Sequence, residues 1–218
     1  MKARTYSFKK YVTFSDLFIG FLLVVFFLSL GTIFTVNFRP LYYWDIKRLN
    51  LSARSGLPNP IIRLNYNTLI GYCSPFYHGT LNFPTLTQST SATIHFAEVK
   101  HIFNDLFCLF LISVISLYGG LSYKFYRHQF ACLKYGAIGI LVLPFLFLTG
   151  FILNFNQTFT LFHKIVFRNN YWLFNPQTDP IITLLPEPFF LHCGILIILT
   201  QFLGSLFLFL AYRHLTKK

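Results

Sequence analysis

The chain has 218 residues, of which 55% are hydrophobic, 20% aromatic and 11% charged, and its formal net charge is +12. Soluble globular domains carry about 25% charged residues, so this composition excludes an ordinary water-soluble domain. A basic chain can also bind nucleic acid. Here the basic residues flank long apolar stretches, so we expect contact with anionic lipid headgroups and no nucleic acid.

Four stretches are apolar over the roughly 20 residues that a helix needs to cross a bilayer. They predict membrane spans at about residues 17–38, 106–123, 136–154 and 189–212. The first span begins like a secretory signal, but its apolar core is too long and no small-residue cleavage site follows, so we expect it to be retained. The sequence predicts one mainly α membrane domain over 1–218, a four-helix bundle with a small extracytoplasmic cap formed by loops 39–105 and 155–188.

The distribution of basic residues predicts the orientation of this bundle. The two terminal segments and the loop between the second and third spans hold ten of the 18 Lys and Arg residues, with Asp16 as their one acidic residue. The other two loops hold eight basic residues and five acidic ones. Cytoplasmic loops carry the excess of Lys and Arg. Both termini are therefore predicted to be cytoplasmic and the two longer loops extracytoplasmic.

The first outer loop is long enough to fold. Its start, residues 41–44, reads Leu-Tyr-Tyr-Trp and predicts an aromatic anchor at the membrane interface. Residues 49–70 predict two helical pieces separated near Pro58 and Pro60, because proline interrupts a helix interior. Residues 79–93 predict extended or loop structure, and a helix leading into the second span is expected from Ile94.

Three polar residues lie just before the second span. Glu98, His101 and Asn104 are spaced at i, i+3 and i+6, which places neighbouring members on one helix face. One interpretation is that they only ring the helix end where water begins. A metal site is a second interpretation, although the chain has no HExxH motif. A catalytic role is the third.

A second histidine follows the third span. His163 lies among Phe162, Ile165 and the basic Lys164 and Arg168, so it could serve only as an interface anchor. A histidine pair on one membrane face could instead move protons in group transfer, because the reference pKa of histidine is about 6.5. The chain has no GxSxG nucleophile motif and no phosphate-binding loop. If the protein is an enzyme, the substrate itself is expected to supply the nucleophile.

The second outer loop carries an extended motif. It reads His163-x-x-x-Phe167-x-Asn169-x-x-Trp172-x-x-x-Pro176-x-Thr178-Asp179, followed by Ile182 and Pro186-Glu187-x-Phe189. With Glu98-x-x-His101 and Tyr66-Asn67 upstream, this motif resembles the four-span membrane family of lipoprotein intramolecular transacylases. The resemblance covers most of the chain.

The resemblance implies an activity and a site. Members of this family act on bacterial lipoproteins with a diacylglyceryl group on the N-terminal cysteine, and move the sn-2 acyl chain onto that cysteine's own α-amino group, leaving a lyso-form lipoprotein. By resemblance, His101 and His163 match the two essential histidines. Further residues are expected either to contact the substrate or its oxyanion, or to position the side chains that do: Glu98, Asn104, Arg168, Asn169, Trp172 and Tyr66.

The chain departs from the family pattern at three positions where aspartate is usual: Asn104, Asn170 and Asn175. An aspartate beside a histidine orients the ring and favours its charged form, whereas an asparagine can only orient it. We therefore expect the pKa values of the histidine pair to differ from those in family members that carry aspartate.

The resemblance also implies a location and a substrate, and two other functions compete with it. We expect a monomer in the bacterial cell membrane that acts on a diacylated lipoprotein among membrane lipids, with no metal and no cofactor. A non-enzymatic lipid-binding or transport accessory protein is the main alternative, and it predicts polar residues buried in mid-span. A metal-dependent membrane hydrolase using Glu98, His101 and His163 is another.

Overall fold

The computed structural model describes residues 12–217, apart from the side chains of residues 143, 146–148 and 151–153. Every regular element within that range is a helix, so the mainly α class is confirmed. In chain order the helices are α1 (Phe14–Asn37), α2 (Arg39–Arg48), α3 (Leu51–Ser55), α4 (Asn59–Tyr72), α5 (Thr90–Tyr126), α6 (Ala131–Val166), α7 (Ile181–Leu184) and α8 (Glu187–Thr216).

Within the described range, three helices are long and apolar enough to cross a membrane, namely α1, α5 and α8. A shorter apolar helical stretch covers Ala131–Val142 in α6. The backbone of α6 leaves helical geometry at Asn154, where φ is −165° and ψ is 102°. The Asn154 side chain then accepts a hydrogen bond from the Gln157 amide at 3.0 Å, which caps the helical segment 155–166. The four-helix bundle remains a prediction.

The chain divides into two compact units. The first unit contains the described chain up to Leu30, Leu109–Leu146 and the chain from Ile198 onward. Its buried core is formed by Ile19, Leu23, Leu117, Phe130, Cys132, Leu133, Ala137, Ile140 and Leu208. A Cβ atom added to Gly20 would lie 3.2 Å from the Gly136 nitrogen. Glycine therefore allows α1 and α6 to approach closely, as small residues do between membrane helices.

The first unit also buries a charged pair. Lys124 and Asp16 form an ion pair of 2.7 Å, and their side chains are only 1% and 4% exposed. The Lys124 ammonium also donates to Ser15 Oγ at 2.9 Å. Asp16 Oδ2 accepts from the Thr13 amide and from its hydroxyl. This arrangement fastens the end of α5 to the start of α1.

The second unit contains Gly31–Cys108 and Phe147–Ile197. Its core is rich in aromatic side chains, and the rings of Tyr42 and Tyr66 stack with centroids 3.6 Å apart. Tyr42 is fully buried and donates a hydrogen bond to the Leu184 carbonyl at 2.8 Å. The predicted interfacial anchor is therefore wrong at Tyr42, although Trp44 in the same run is exposed.

The polypeptide between the predicted spans is more helical than expected. The two predicted pieces around the prolines are α3 and α4, and Pro60 lies in the first turn of α4. Proline is tolerated there because the first amides of a helix have no intrahelical partner. The helix before the second span begins at Thr90, and residues 155–166, predicted as loop, are helical.

Candidate active site

Two buried imidazoles meet in the second unit. The ring centroids of His95, on α5, and His163, near the end of α6, are 6.0 Å apart. The two residues are only 6% and 8% exposed. Phe167 lies beside both rings, with centroid distances of 4.6 Å to His95 and 5.3 Å to His163. The site is therefore an imidazole pair enclosed by aromatic walls.

His95, and not His101, is the histidine that the structure brings to His163. At about 100° per residue, His101 is turned roughly 120° from His95 around α5, and its side chain is exposed. The prediction that His101 meets His163 is corrected for that reason. His95 lies within the helix expected from Ile94 onward, and its i, i+3 spacing to Glu98 is a signal that could have identified it.

The two rings differ in their hydrogen bonding. His163 Nδ1 lies 2.8 Å from the Phe159 carbonyl oxygen. A carbonyl can only accept, so Nδ1 carries the proton in the neutral ring and Nε2 carries the free lone pair. His95 Nδ1 is buried and makes no hydrogen bond within the described residues.

Burial sets the charge of both rings. Both histidines lie outside the predicted spans 106–123 and 136–154. Burial, with a smaller contribution from His163, lowers the pKa of His95 to about 4. Burial also lowers the pKa of His163, although its hydrogen bond to Phe159 opposes this shift. Both imidazoles are therefore neutral near pH 7.

A turn after α6 carries the motif residues to the histidine pair. Arg168 adopts a left-handed conformation with φ +55°, and this reverses the chain. Asn169 then donates to Glu98 Oε1 at 2.7 Å, and its carbonyl accepts from Trp172 Nε1 at 2.9 Å. The Trp172 ring lies 4.8 Å from the His163 ring. Glu98, Asn169, Trp172 and His163 thus form one connected set of contacts.

Asp179 holds the second outer segment against the start of α5. Its Oδ1 accepts from the Ser89 amide at 2.7 Å, next to the first residue of the helix. Asp179 is buried and also accepts from the Thr178 hydroxyl at 2.8 Å. A carboxylate is favourable at a helix N-terminus. This motif residue therefore fixes the helix that carries His95 and Glu98.

Several predicted site residues have other positions. Tyr66 packs in the aromatic core against Tyr42. The Arg168 side chain is exposed. Asn104 is turned about 180° from His95 around α5, and its Oδ1 is buried with no hydrogen bond to any described residue. Asn169 Nδ2 donates to Glu98 and to the Phe167 carbonyl, so both its hydrogens are used and the side chain supports Glu98.

Asn170 and Asn175, the other two positions at which the resemblance implies aspartate, have different surroundings. Asn170 is exposed. Asn175 Oδ1 accepts from the Gln177 amide at 3.0 Å, a turn contact that either an asparagine or an aspartate oxygen can make. The local turn at position 175 therefore does not require one of these two residue types over the other.

A groove of about 630 Å³ opens beside the histidine pair. Phe159 and Trp172, which contact the His163 ring, line it, as does Phe174, which contacts His95. Lys164 and Glu187 supply charged groups at its wall. The volume lies within the range of about 300–1,000 Å³ typical of ligand sites. Among the described residues, no three His, Cys, Asp or Glu side chains are grouped so that they could hold a metal ion.

Comparison with known proteins gives the family. A family model described as lipoprotein intramolecular transacylase Lit matches residues 17–190. The chain is 34% identical to the crystallised membrane integral lipoprotein intramolecular transacylase Lit from Bacillus cereus, with a TM-score of 0.91 over 93% of this chain and 94% of that one.

Two variants of the same Bacillus cereus protein, in which one histidine is replaced by arginine or by alanine, are also similar. Each is 34% identical, with a TM-score of 0.85, and the match covers 93% of this chain and 91% or 92% of theirs. A search of the curated proteins finds no match. The match to the family model and the likeness to these structures agree with the motif resemblance, so the chain is a membrane protein and belongs to the family of lipoprotein intramolecular transacylases.

Proposed function

We propose that this transacylase moves the sn-2 acyl chain of a diacylglyceryl-cysteine lipoprotein onto the lipoprotein's own α-amino group, with His163 and His95 as its catalytic residues. The observation that carries the proposal is the pair of buried, neutral imidazoles whose ring centroids are 6.0 Å apart. Belonging to an enzyme family sets aside the non-enzymatic alternative.

His163 acts first as base and then as acid. Its Nε2 takes a proton from the substrate nitrogen as that nitrogen attacks the ester carbonyl carbon and the C–N bond forms. The same proton passes to the glycerol oxygen as the C–O bond breaks, so amide and free hydroxyl are produced without net proton change from the neutral amine. General acid–base catalysis of this kind contributes about 10²–10⁴ in rate.

His95 stabilises the oxygen that becomes negative in the tetrahedral intermediate. Its lowered pKa keeps the ring neutral at neutral pH, and a neutral imidazole can donate one N–H to an oxyanion. Its buried Nδ1 has no partner in the described chain, so a ring nitrogen remains available to the substrate.

No acyl-enzyme is needed. The amine and the ester belong to one substrate molecule, and proximity of this kind replaces a bimolecular step. Burial also raises the pKa of the Cys73 thiol to about 12, which disfavours a thiolate nucleophile there.

The groove beside His163 suits the acyl chain. Its aromatic wall offers apolar contact, and an acyl chain that leaves the bilayer for water loses about 0.8 kcal/mol per CH₂. The basic residues at both termini and in the loop between α5 and α6 favour cytoplasmic termini, with the site on the extracytoplasmic face. We propose that a monomer carries the complete site, since both imidazoles belong to one chain.

Replacing the histidines one at a time tests the proposal. His95→Ala and His163→Ala should each lower the formation of lyso-form lipoprotein by about 10²-fold or more, measured by mass spectrometry of a reporter lipoprotein's N-terminus. His101→Ala is the matched control, since this exposed histidine lies on the same helix and should keep near-normal activity. Normal product from both His95→Ala and His163→Ala would rule out this mechanism, and inactivation by a stringent chelator would favour the metal-dependent alternative.

A further inference from the structure

Glu98 has one carboxylate oxygen engaged and one without a partner. Oε1 accepts the hydrogen bond from Asn169 Nδ2 at 2.7 Å. Oε2 is buried and makes no hydrogen bond to any residue between 12 and 217. A buried carboxylate oxygen is costly to leave unpaired. This oxygen is therefore free, among the described residues, to accept a hydrogen bond from a bound ligand.

A second unpartnered atom lies on the same helix. His95 Nδ1 is also buried without a hydrogen bond in the described structure. His95 and Glu98 are three residues apart, which turns them only about 60° from each other around α5. The two unpartnered atoms belong to one helix face, and the His95 ring lies 6.0 Å from the His163 ring, so we assign both atoms to one ligand position.

Charge decides which group fits. No described Lys or Arg forms a salt bridge with Glu98, so its carboxylate faces the site without a cationic partner from the described chain. An ammonium supplies both the positive charge and the N–H donors that an orphan carboxylate oxygen requires. In the proposed reaction the group that must be held beside the histidines is the α-amino group of the substrate cysteine, which is largely an ammonium below its reference pKa of about 7.7–8.0.

We infer that Glu98 is the residue that binds the substrate's α-ammonium and so selects lipoproteins with a free N-terminus. Asn169 is its positioning residue, because the Asn169 amide fixes Oε1 and leaves Oε2 to meet the ammonium. The ammonium then gives one proton to solvent, and the resulting amine attacks the ester while His163 takes the second proton. This inference rests on the proposed function, since it assigns the attacking group of that reaction.

Binding of two unreactive substrate analogues tests it. A diacylglyceryl-cysteine peptide that is N-acetylated carries no charge at that nitrogen, whereas an N,N-dimethylated one is a cation with one N–H and cannot form a stable amide. The unmodified enzyme should bind the dimethylated peptide about 10- to 100-fold more tightly, the equivalent of one charge-assisted hydrogen bond. Glu98→Gln should bind the two peptides equally. Because this variant prefers the neutral amine, its KM for the reactive substrate should fall as pH rises from 6.5 to 9.

Two further variants keep the outcome decisive. Asp105→Asn, at an exposed acidic position on the same helix, should retain the preference for the cation. Glu98→Asp keeps the charge and should retain a weaker preference, which a purely structural role would not produce. If the unmodified enzyme and Glu98→Gln prefer the dimethylated peptide over the acetylated one to the same degree, the inference is overturned. This holds even if the histidine variants are inactive. Loss of discrimination in Glu98→Gln together with active histidine variants would overturn the proposed mechanism and leave the ammonium site standing.

Discussion

The two units of the molecule each enclose charged or ionisable groups, and they treat them differently. In the first unit the Lys124 ammonium faces Asp16 Oδ1 at 2.7 Å and also donates to Ser15. In the second unit His95 Nδ1 and Glu98 Oε2 are buried without a partner in the described chain. Buried polar groups are normally hydrogen-bonded, so each exception requires an explanation. We propose that the paired cluster stabilises the fold, whereas the unpaired cluster binds the substrate.

Removing one member of the paired cluster should have the largest effect on stability. Lys124→Met leaves Asp16 buried without its cation, and breaking a buried ion pair from one side costs about 3–5 kcal/mol. Thermal unfolding in detergent should show a large fall in the midpoint. Lys134→Met, at an exposed lysine, is the control and should stay within about 0.5 kcal/mol. An unchanged midpoint for Lys124→Met would contradict the structural role given to this cluster.

Acid should destabilise the folded protein because it protonates the buried His95. The folded-state pKa of His95 is about 4, below the ordinary 6.5, so the folded protein binds fewer protons than the unfolded chain between those values. The contribution of His95 to the free energy of unfolding is therefore full above about pH 6.5. It is lost as pH falls toward 4, by on the order of 3 kcal/mol for such a shift. Denaturation at pH 7.5 and at pH 4.5 should reveal the loss.

A matched pair of variants isolates the contribution of His95 to this pH dependence. His95→Gln removes the buried titrating ring and should flatten the profile, although the neighbouring His163 retains its own smaller dependence. His101→Gln replaces an exposed histidine on the same helix and should leave the profile as it is. The same acid loss in His95→Gln as in the unmodified protein would show that another group causes it.

A third buried group, Asp45, is paired as Lys124 is, but it lies in the second unit. Asp45 is fully buried and both its oxygens contact His192 Nδ1, at 2.8 and 3.0 Å. Asp45→Asn keeps an acceptor but loses the charge, so we expect a loss of about 2 kcal/mol, within the range for charge-assisted hydrogen bonds. Unfolding in detergent measures it, with Asp105→Asn as the exposed control. Because the pair is complete, lyso-form production per folded molecule should be unchanged, and a specific loss of activity would place this pair in the active site.

Features that depend on one continuous segment of the chain follow from the sequence. Long uncharged runs identify α1, α5 and α8 as membrane helices because burial in lipid depends on composition along one segment. The extended motif from His163 to Phe189 identifies the family because all its residues lie within one continuous segment of the chain. Lys124, in contrast, counts in the sequence only as a basic residue beside a span. Its buried position is matched by the ion pair with Asp16, more than a hundred residues away.

The sequence by itself determined the membrane class and the family, and it drew attention to His163 through the family motif. It did not determine which histidine faces His163, because that choice depends on where α5 begins and how the helix is rotated against the aromatic core. Asp179 fixes the start of α5, and packing of Phe96 and Phe174 against each other fixes its rotation. Only the tertiary structure shows that His95, and not His101, contacts His163. A contact between distant segments is set by the three-dimensional path of the chain and not by residue type or spacing.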